Sequence, residues 1–512
     1  MSKIELRGYQ KAAVQAVVEE LKNPCRKSFL VVEPCGAGKS YEIAGLMHAL
    51  SESHENLRTI IITPSAELVM QDYRAITNII GKDDVGIDCR MEGYQTTHKR
   101  ITVTNINTIY RDTYLFNKVD LIVIDEAHQI RQDDEEASSM YRNVEAYFRD
   151  LNPDLCVVGF TATPHRLSEG IIYGEDKFFS HIVHETKFST LVIGGFLCPL
   201  YCHLPKFKTD FSLAKTNFDG EFVSDTWKLI DTDKAVKFMV ARAARKKKVL
   251  IFAANIEQAN IIKTKIEELT GEYVGFVTGD TDKGKRAREL DRFCSLDSED
   301  KIKYFVNVQV LKQGFDNPAI DMVVLFRPTK SATLYVQMCC RGSRKSPSTR
   351  KTKCEILDFG GNIERHGFID EVVYHTTKQK ISENNFEYKE CPKCGALCSP
   401  SAEYCAECNF MFAHLKRERD TTVAITLNTK FNILSDKCKL YKYAVDEFDL
   451  DGNLVATYPS IPEAAAQSGE QVENIMFALD LIKQYPGVEY PINKWLFHVE
   501  NMPATIKMEV GA

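Results

Sequence analysis

The stretch VVEPCGAGKS at residues 31–40 connects an apolar run at residues 29–32 to the beginning of a helical pattern. An apolar strand that leads through small residues into a helix is typical of a loop that binds phosphate. Gly36 and Gly38 would let backbone N–H groups close around the phosphate oxygens, because glycine adds no side chain to the turn. The stretch therefore predicts a phosphate-binding loop between a buried strand and a helix.

Lys39 and Ser40 supply the side chains that a bound nucleotide requires. Lys39 can reach the β- and γ-phosphates of ATP, and the Ser40 hydroxyl can bind Mg²⁺ at the N-terminus of the helix. Glu33 stands where the GxxxxGK[ST] pattern has its first glycine, so the motif alone also fits a glycine-rich turn with an exposed lysine. The carboxylates and arginines further along the chain favour the nucleotide site.

Composition and charge limit what kind of protein this is. The chain has 512 residues, 44% of them hydrophobic, which suggests roughly three or four domains. Its formal charge of −6 means that nucleic-acid binding would need local basic patches. The N-terminus has no apolar signal segment, and no run reaches the ~18 apolar residues of a membrane span. We therefore expect no membrane partner and a cytoplasmic location, in the host cytoplasm if the protein is viral.

Short apolar runs alternate with longer amphipathic segments along most of the chain. After the first run, they lie at residues 59–62, 121–124, 155–160, 249–252, 304–308, 322–326 and 354–359. Uninterrupted Val, Ile and Leu runs between helices mark strands buried on both faces, as in parallel sheets covered by helices. We predict an α/β fold with two such sheets, in domains at residues 1–200 and 201–378. The boundary falls in the more polar stretch at residues 200–248.

The sequence DEAH at residues 125–128 directly follows one of these runs. Parallel sheets bind ligands at the carboxyl ends of their strands, which is where these carboxylates would lie. We predict that Asp125 holds Mg²⁺ through water and that Glu126 polarises the attacking water, the alternative being a solvated acidic loop. The next strand ends in TATP at residues 161–164, whose hydroxyls can bridge to the two carboxylates.

Four more side chains complete the predicted ATP site. Gln10, at the start of an amphipathic helical pattern at residues 7–21, can read the adenine edge with its amide, although a surface glutamine is the alternative. Gln337 opens the stretch QMCCRGSR. Arg341 and Arg344 lie three residues apart and would share one face of a helix, where their guanidinium groups suit the γ-phosphate oxygens. A basic surface helix is the alternative for this stretch.

With these motifs in this order, the chain resembles the superfamily 2 helicases over residues 6–358. The motifs are Gln10, the phosphate loop, TPSAELVMQ (63–71), VTNINTIYR (103–111), DEAH, TAT, QGFDNP (313–318) and QMCCRGSR (337–344). Within that superfamily, GFDNP, the leading glutamine of the last motif and the cysteine-rich segment after it are most similar to the RadD-type DNA repair helicases of bacteria and related phage enzymes.

The resemblance implies two RecA-like domains that bind ATP in the cleft between them and a nucleic-acid strand across their upper face. It also implies that Gln337, Arg341 and Arg344 sense the γ-phosphate and that Asp316 approaches the ribose. The loops at Thr63 and Thr104 would contact phosphates of the strand. Three positions depart from the family pattern, namely Cys35 and Lys312, where threonines are usual, and Cys340, where glycine precedes the first arginine.

Two CxxC pairs follow the second domain. Cys391, Cys394, Cys405 and Cys408 have the spacing of a zinc ribbon at residues 388–413, in which four thiolates bind one Zn²⁺. A pair of disulfides is the alternative, although the other cysteines resemble the reduced thiols of a cytosolic protein. Four cysteine ligands leave no open position, so we expect this zinc to be structural.

Residues 440–500 predict a small, separate α+β module. Strands at residues 443–450 and 454–458 flank Asp451-Gly452, a hairpin turn signal, and two helices and an apolar strand around Trp495 follow. The arrangement resembles the helix-turn-helix-like, nuclease-associated modular DNA-binding domains. From residue 443 onward, however, there is no arginine, and acidic residues outnumber the three lysines. We therefore expect this module to contact either DNA or a protein partner.

These observations predict an ATP-dependent DNA helicase or translocase that acts in DNA repair, recombination or replication. Its cofactors would be ATP, Mg²⁺ and Zn²⁺, and its substrate single-stranded or branched DNA, with RNA as the alternative. Two other functions remain open. The chain could be the translocating motor of a restriction-like system, in which a partner cuts the DNA, or an ATP-switched nucleic-acid clamp that does not unwind.

Overall fold

The computed structural model of the chain describes residues 6–23, 28–54, 56–90, 93–130, 139–167, 170–204, 209–211, 214–217, 221–279, 281–296, 301–308, 315, 317–369, 372, 388–398, 405, 408, 410, 445–448, 454–458 and 495–497. The chain divides into two units. Unit 1 comprises Met1–Leu6, Ala13–Phe188 and Leu197–Phe386, and unit 2 comprises Arg7–Ala12, Ser189–Phe196 and Glu387–Ala512.

The first domain of unit 1 is built on a largely parallel sheet. In chain order its strands are β1 (Ser28–Val32), β2 (Thr59–Thr63), β3 (Val85–Cys89), β4 (Tyr94–Gln95), β5 (Ile101–Asn105), β6 (Leu121–Asp125), β7 (Cys156–Thr161), β8 (His165–Arg166), β9 (Gly170–Ile171) and β10 (His181–Glu185). Eight of them form one sheet in the order β10-β1-β7-β6-β2-β5-β3-β4. Only β4 runs antiparallel to its neighbour in this sheet, and β8 and β9 form a separate antiparallel pair.

Both faces of this sheet are covered by apolar cores, which explains why the sequences of its strands are continuous runs of Val and Ile. Successive side chains of a strand point to opposite faces. Ile61 accordingly packs in a core on one face, whereas Ile60 and Ile62 pack in a second core on the other. The helices in this part of the chain are α1 (Gly8–Glu20), α2 (Lys39–Ser53), α3 (Ala66–Ile80), α4 (Ile106–Asp112), α5 (Ser139–Leu151) and α6 (Phe188–Ile193).

The second domain of unit 1 contains a smaller sheet that is parallel throughout. Its strands are β11 (Leu200–His203), β12 (Val249–Phe252), β13 (Val274–Val277), β14 (Tyr304–Asn307), β15 (Met322–Leu325) and β16 (Cys354–Asp358), in the order β11-β16-β15-β12-β14-β13. Its helices are α7 (Thr232–Arg242), α8 (Ile256–Thr270), α9 (Lys283–Cys294), α10 (Ala332–Cys339) and α11 (Asn362–His366). The sequence pattern did not predict β11, because LYCH mixes polar and apolar residues.

Unit 2 contains short antiparallel strands where the structure describes it. β17 (Lys389–Glu390) pairs with β18 (Leu397–Cys398), and β19 (Val445–Phe448) lies between β20 (Leu454–Tyr458) and β21 (Trp495–Phe497). The two strands predicted on either side of residues 451–452 thus pair in antiparallel fashion, and the predicted strand at Trp495 is present, while the turn itself lies outside the described residues. The two helices predicted between them lie outside the described residues.

The predicted α/β fold with two RecA-like domains and parallel sheets is confirmed. Every apolar run singled out in the sequence forms a strand of one of the two large sheets. Among the described residues, no helix is both long enough and apolar enough to cross a bilayer.

Candidate functional site

The phosphate loop lies between β1 and α2, as the sequence predicts. Gly36 and Gly38 have φ angles of 91° and 98°, which side chains other than glycine rarely adopt. A Cβ atom at Gly36 would also lie only 3.0 Å from Oγ of Ser343 and 3.7 Å from Cγ of Arg344. Glycine at this position therefore permits both the turn and the close approach of the second domain.

Lys39 is the first residue of α2, and its ammonium group is buried against the DEAH stretch. Its Nζ lies 3.8 Å from Oε1 of Glu126, and the two side chains are 10% and 13% exposed. Burial opposes the charge on Lys39, but Glu126, Cys35 and Asp125 outweigh that effect and raise the pKa of the ammonium group. Lys39 is thus a fixed positive charge at the position expected for phosphate.

Buried carboxylates lie close to Ser40, which follows Lys39. Asp125 is 3% exposed, and burial, Asp72 and Glu126 raise its pKa well above the ordinary value. Asp72 lies fully buried on α3, and burial raises its pKa to about 7, an effect that the nearby Ser40 hydroxyl opposes. Both carboxylate oxygens of Asp72 are buried, and its hydrogen bond with the Ser40 hydroxyl is too weak in geometry to satisfy either of them fully.

This donor set fits Mg²⁺, which prefers oxygen ligands. Oγ of Ser40 accepts a hydrogen bond from Nε2 of Gln71 at 2.9 Å, which holds the hydroxyl in place. Burial disfavours the charge on Asp72 and Asp125, and a bound cation would offset that cost. Ser40 and Asp125 could hold the ion, with Asp72 beside them. The sequence analysis missed Asp72, although it directly follows the TPSAELVMQ motif.

Glu126 has a strained backbone conformation and lies between Asp125, the predicted Mg²⁺ ligand, and Lys39. Its φ of 52° is left-handed, which is uncommon for a residue with a side chain. Oε1 faces Lys39, and Oε2 lies 3.3 Å from Nδ1 of His128. Burial opposes the charge, but the positive charges of Lys39 and Arg341 hold the pKa of Glu126 below its ordinary value. Glu126 is therefore ionised at neutral pH and can accept a proton or a hydrogen bond.

His128 connects the first domain to the second. Its Nδ1 lies 3.1 Å from Oγ1 of Thr161, in the TATP stretch, and its Nε2 lies 3.3 Å from Nε2 of Gln337. The side-chain amide nitrogen of Gln337 can only donate a hydrogen bond, so Nε2 of His128 must accept it. The proton of the neutral imidazole is then on Nδ1. Burial lowers the pKa of His128, which favours this neutral form. The hydroxyl bridge expected from TATP thus reaches the DEAH stretch through the histidine.

Arg341 and Arg344 lie beside the phosphate loop but do not share a helix face, so that prediction was wrong. Helix α10 ends at Cys339, and a single 3₁₀ turn, Cys340–Gly342, follows it. A Cβ at Gly342 would lie 2.3 Å from Sγ of Cys354, so the segment packs too tightly on the sheet for a longer helix with side chains. Nη1 of Arg341 donates to the carbonyl of Phe315 at 2.7 Å.

The electrostatics of the two arginines link each of them to the first domain. Burial lowers the pKa of Arg341, and the nearby Cys35 and Glu126 partly offset that effect. Burial also lowers the pKa of Arg344, and Cys35 offsets part of that effect. The charge of Arg341 acts on Glu126 as well as on Cys35.

Glu33, at the position of the missing first glycine, has a structural role. It is fully buried, its Oε1 accepts a hydrogen bond from Oγ1 of Thr186 at 2.6 Å, and it lies 3.3 Å from Nε2 of His184. These contacts anchor the loop to the end of β10. Glu42 on α2 is also fully buried, and burial followed by the charge of Glu33 raises its pKa well above the ordinary value. Sequence motifs alone do not indicate that Glu33 and Glu42 form a buried pair of acidic residues.

The remaining predicted residues lie outside this cluster or outside the described residues. Gln10 lies in α1, where its Oε1 accepts a hydrogen bond from the backbone of Arg7 at 3.0 Å. Asp316 belongs to the undescribed part. Thr63 and Thr104 are fully buried, and their hydroxyls donate within their own loops, at 3.0 and 3.3 Å. Contacts to a nucleic-acid strand would have to come from other groups of these two loops.

Unit 2 contains the predicted cysteine cluster. The sulfur atoms of Cys391, Cys394, Cys405 and Cys408 all lie within 4.8 Å of one another. The sulfur atoms of Cys391 and Cys408 are 3.6 Å apart, and those of Cys394 and Cys405 are 3.5 Å apart. Four sulfurs at about 2.3 Å from a tetrahedral Zn²⁺ would lie roughly 3.8 Å apart. The geometry therefore fits one zinc ion.

The backbone around the first CxxC pair forms a tight turn of the kind that converges two thiols. The N–H of Gly395 donates to the carbonyl of Cys391 at 2.8 Å, and Gly395 has a φ of 74°. The N–H of Cys391 in turn donates to the carbonyl of Ala396 at 2.8 Å. Glycine is favoured after the second cysteine because the turn needs a positive φ there.

Comparisons with known proteins match both domains. Residues 3–166 match the family "Type III restriction enzyme, res subunit", and residues 231–346 match the family "Helicase conserved C-terminal domain". The chain is 24% identical over 372 residues to the Saccharomyces cerevisiae protein IRC3, whose name describes an ATP-dependent helicase. That alignment covers 70% of this chain and 51% of IRC3, so the chain spans about half the length of this relative.

Two further comparisons cover more of the related protein. The 51.5 kDa protein of a Lactococcus phage is 24% identical over 425 residues, which cover 80% of this chain and 85% of the phage protein. A fragment structure from Vibrio vulnificus YJ016, described as an HsdR subunit of a type I restriction enzyme, has a TM-score of 0.55 at 20% identity. It covers 72% of this chain and 67% of the fragment, and it supports the fold.

The contact between His128 and Gln337 generates a prediction about coupling between the two domains. We expect His128→Ala and Gln337→Ala each to lower kcat/KM for ATP, because either change breaks the same link. The fold-decrease of kcat/KM in the double variant should be much smaller than the product of the two single fold-decreases. The difference corresponds to a coupling energy of about 0.5–3 kcal/mol between the two side chains.

A second contact between the domains provides the control for this comparison of single and double variants. Oγ1 of Thr333 donates to the carbonyl of His165 at 3.0 Å without touching His128. For Thr333→Val combined with His128→Ala, the fold-decrease in kcat/KM should equal the product of the two single fold-decreases. If the same holds for His128→Ala combined with Gln337→Ala, the two side chains do not act as a unit.

Proposed function

Because the chain belongs to the superfamily 2 helicases, we propose that it is an ATP-dependent DNA helicase or translocase that acts in DNA repair, recombination or replication. The observation that carries this proposal is the meeting of three motifs from two domains. Lys39 contacts Glu126 within the first domain, and Gln337 of the second domain contacts His128, two residues from that glutamate. A motor needs such a site, because domain movement must depend on the state of the nucleotide.

The proposed reaction is hydrolysis of ATP between the two domains. The phosphate loop and Lys39 bind the β- and γ-phosphates, and Glu126, which is ionised, accepts a hydrogen bond from the attacking water and then its proton. Arg341 and Arg344 stabilise the charge that develops on the γ-phosphate. Mg²⁺, held by Ser40 and through water by Asp125, would neutralise phosphate charge. Gln10 and Asp316 are proposed to bind the adenine and the ribose.

The substrate we propose is single-stranded or branched DNA, with RNA as the alternative. The RadD-like identity rests on the GFDNP, arginine and cysteine motifs of the sequence. A translocating motor of a restriction-like system is the second candidate, favoured by the match of residues 3–166 to a restriction-enzyme family and by the HsdR-like fold. A clamp that binds nucleic acid without unwinding it is the third. The acidic C-terminal module would bind a protein partner or determine which DNA structures the protein prefers.

We also propose that Cys391, Cys394, Cys405 and Cys408 bind one structural zinc ion. The sulfur separations support it, since they are far longer than the roughly 2 Å of a disulfide bond. In such a site the metal holds together a segment too small to bury a core of its own.

Glu126→Gln tests the proposed motor. We expect kcat for ATP to fall by roughly 10²–10⁴-fold, because the amide keeps the shape of the side chain but cannot accept a proton from water. The dissociation constant for ATP should stay within a few-fold of wild type. Glu145→Gln, which changes a partly exposed ion pair on α5, is the matched control and should keep full activity. Retained hydrolysis in the Glu126 variant would refute the assignment.

The wild-type protein in the same assay separates the three candidate functions. ATP hydrolysis is measured with single-stranded DNA, duplex, forked DNA and RNA, followed by strand displacement on the fork. A helicase shows stimulation and displacement. A restriction-type motor shows duplex stimulation without displacement, and a clamp binds nucleic acid in an ATP-dependent manner without either.

Arg344→Ala should lower the hydrolysis rate by roughly 10³-fold, as removal of a finger arginine does elsewhere. The neighbouring exposed Lys345→Ala is the control and should change the rate by less than twofold. A loss below about tenfold in the Arg344 variant would transfer the finger role to Arg341, whose charge already acts on Glu126.

Metal analysis tests the zinc site. Purified protein should contain one zinc per chain, and Cys394→Ser should lose it while the two RecA-like domains stay folded. Cys398→Ser is the control, because this buried cysteine contacts the carbonyl of Ala396 and lies outside the four-sulfur cluster. No zinc in the wild type, or equal zinc in both variants, would contradict the proposal.

A further inference from the structure

Two cysteines that depart from the helicase pattern lie against each other in the structure. Cys35 belongs to the phosphate loop after β1, and Cys340 begins the 3₁₀ turn that carries Arg341. They are 305 residues apart in the sequence and come from different domains of unit 1. The thiol of Cys340 hydrogen-bonds to that of Cys35. In the sequence alone they are two separate departures from the family pattern.

Backbone contacts hold the two cysteines in this arrangement. Oγ of Ser343 lies 3.5 Å from the carbonyl oxygen of Cys35 and 2.8 Å from that of Cys340, so one hydroxyl contacts both segments. The close approach of Gly36 to Ser343, described above, brings the neighbouring backbone into contact as well. The proximity of the thiols therefore follows from the packing of the phosphate loop on the arginine segment.

The chemical surroundings of these two thiols favour opposite protonation states. The hydrogen bond from Cys340 lowers the pKa of Cys35 to about 7, and the charges of Lys39 and Arg341 act in the same direction against burial. The same hydrogen bond, together with burial, raises the pKa of Cys340. One sulfur is therefore prepared to attack as a thiolate, and its neighbour carries a proton to give up.

We propose that Cys35 and Cys340 are an oxidation site at which a peroxide forms a disulfide that ties the phosphate loop to the arginine segment and stops ATP hydrolysis. The effect on hydrolysis rests on the proposed ATPase function, whereas the disulfide itself does not. The bond would fix the two segments that must adjust around the γ-phosphate during turnover. A reducing dithiol would restore activity.

The chemistry balances with hydrogen peroxide as the oxidant. The Cys35 thiolate attacks one peroxide oxygen, the O–O bond breaks, and hydroxide leaves and is protonated to water, which gives a sulfenic acid. The Cys340 sulfur then attacks the Cys35 sulfur, the S–O bond breaks, and hydroxide leaves with the thiol proton as a second water. Two thiols lose two electrons and two protons in total, and one peroxide is reduced to two waters.

The test maps the disulfide in the full-length protein and measures its effect separately. Reduced protein is treated with hydrogen peroxide, remaining thiols are blocked, and the non-reduced tryptic peptides are analysed by mass spectrometry. We expect the peptide of residues 28–39 to be linked to that of residues 331–341 through Cys340, with the adjacent Cys339 alkylated. ATP hydrolysis should fall at least tenfold and return to within twofold of its starting rate after dithiothreitol.

Variants isolate the pair from the other oxidisable cysteines, including the zinc cluster. Each variant is compared with its own reduced form. Cys340→Ser and Cys35→Ser should show no linked peptide and less than a twofold change on oxidation. Cys339→Ser removes a fully buried cysteine beside the pair and should respond as the wild type does. An equal loss of hydrolysis in Cys340→Ser would assign the effect to another site and overturn the proposal.

Two other outcomes also decide against it. If the exposed Cys294 is oxidised while no 35–340 link forms, the pairing is wrong. If the link forms without changing hydrolysis, the disulfide does not control the motor. A protein without ATP hydrolysis in any state would refute the proposed function, while the peptide map would still decide whether the two cysteines pair.

Discussion

The buried ammonium group of Lys39 is the charge on which the rest of the ATP site depends. A buried charge is costly unless partners balance it, and here the nearest partner is Glu126, at 3.8 Å. The sheet order places β1, β7 and β6 side by side, so their carboxyl ends deliver the phosphate loop, the TATP stretch and the DEAH stretch to one edge. The topology of a parallel sheet thus brings together groups that are far apart in the sequence.

The second domain of unit 1 adds positive charge to the other side of this cluster. Arg341 acts on Glu126, and the side chain of Arg344 lies beside Gly36 of the phosphate loop. Gly36 permits that approach because a larger residue would meet Ser343. The neutral His128 gives the second domain a direct contact with the DEAH stretch through Gln337. In the proposed motor, such short polar contacts would couple nucleotide chemistry to the position of the domains.

The sequence predicted those features that local patterns encode. Apolar runs identified the buried strands, and spacing identified the strand-to-helix loop at residues 33–38 and the four clustered cysteines, because a strand, a turn or a CxxC pair involves only a few neighbouring residues. It did not predict Asp72 beside Ser40, the buried, hydrogen-bonded setting of Glu33, or the contact between Cys35 and Cys340. Each of these depends on tertiary packing between distant segments. The helix expected to carry Arg341 and Arg344 was wrong because packing at Gly342 outweighs helical spacing.

Structure determination of the full-length protein with Mg²⁺ and a non-hydrolysable ATP analogue would test the central claim most directly. The account predicts that Lys39 from the first domain and Arg341 or Arg344 from the second contact oxygens of the same γ-phosphate, at hydrogen-bond distances of about 2.7–3.2 Å. Glu126 should face a water in line with the bond to be broken. A nucleotide contacted only by the first domain, with both arginines directed elsewhere, would contradict an ATP site shared between the two domains.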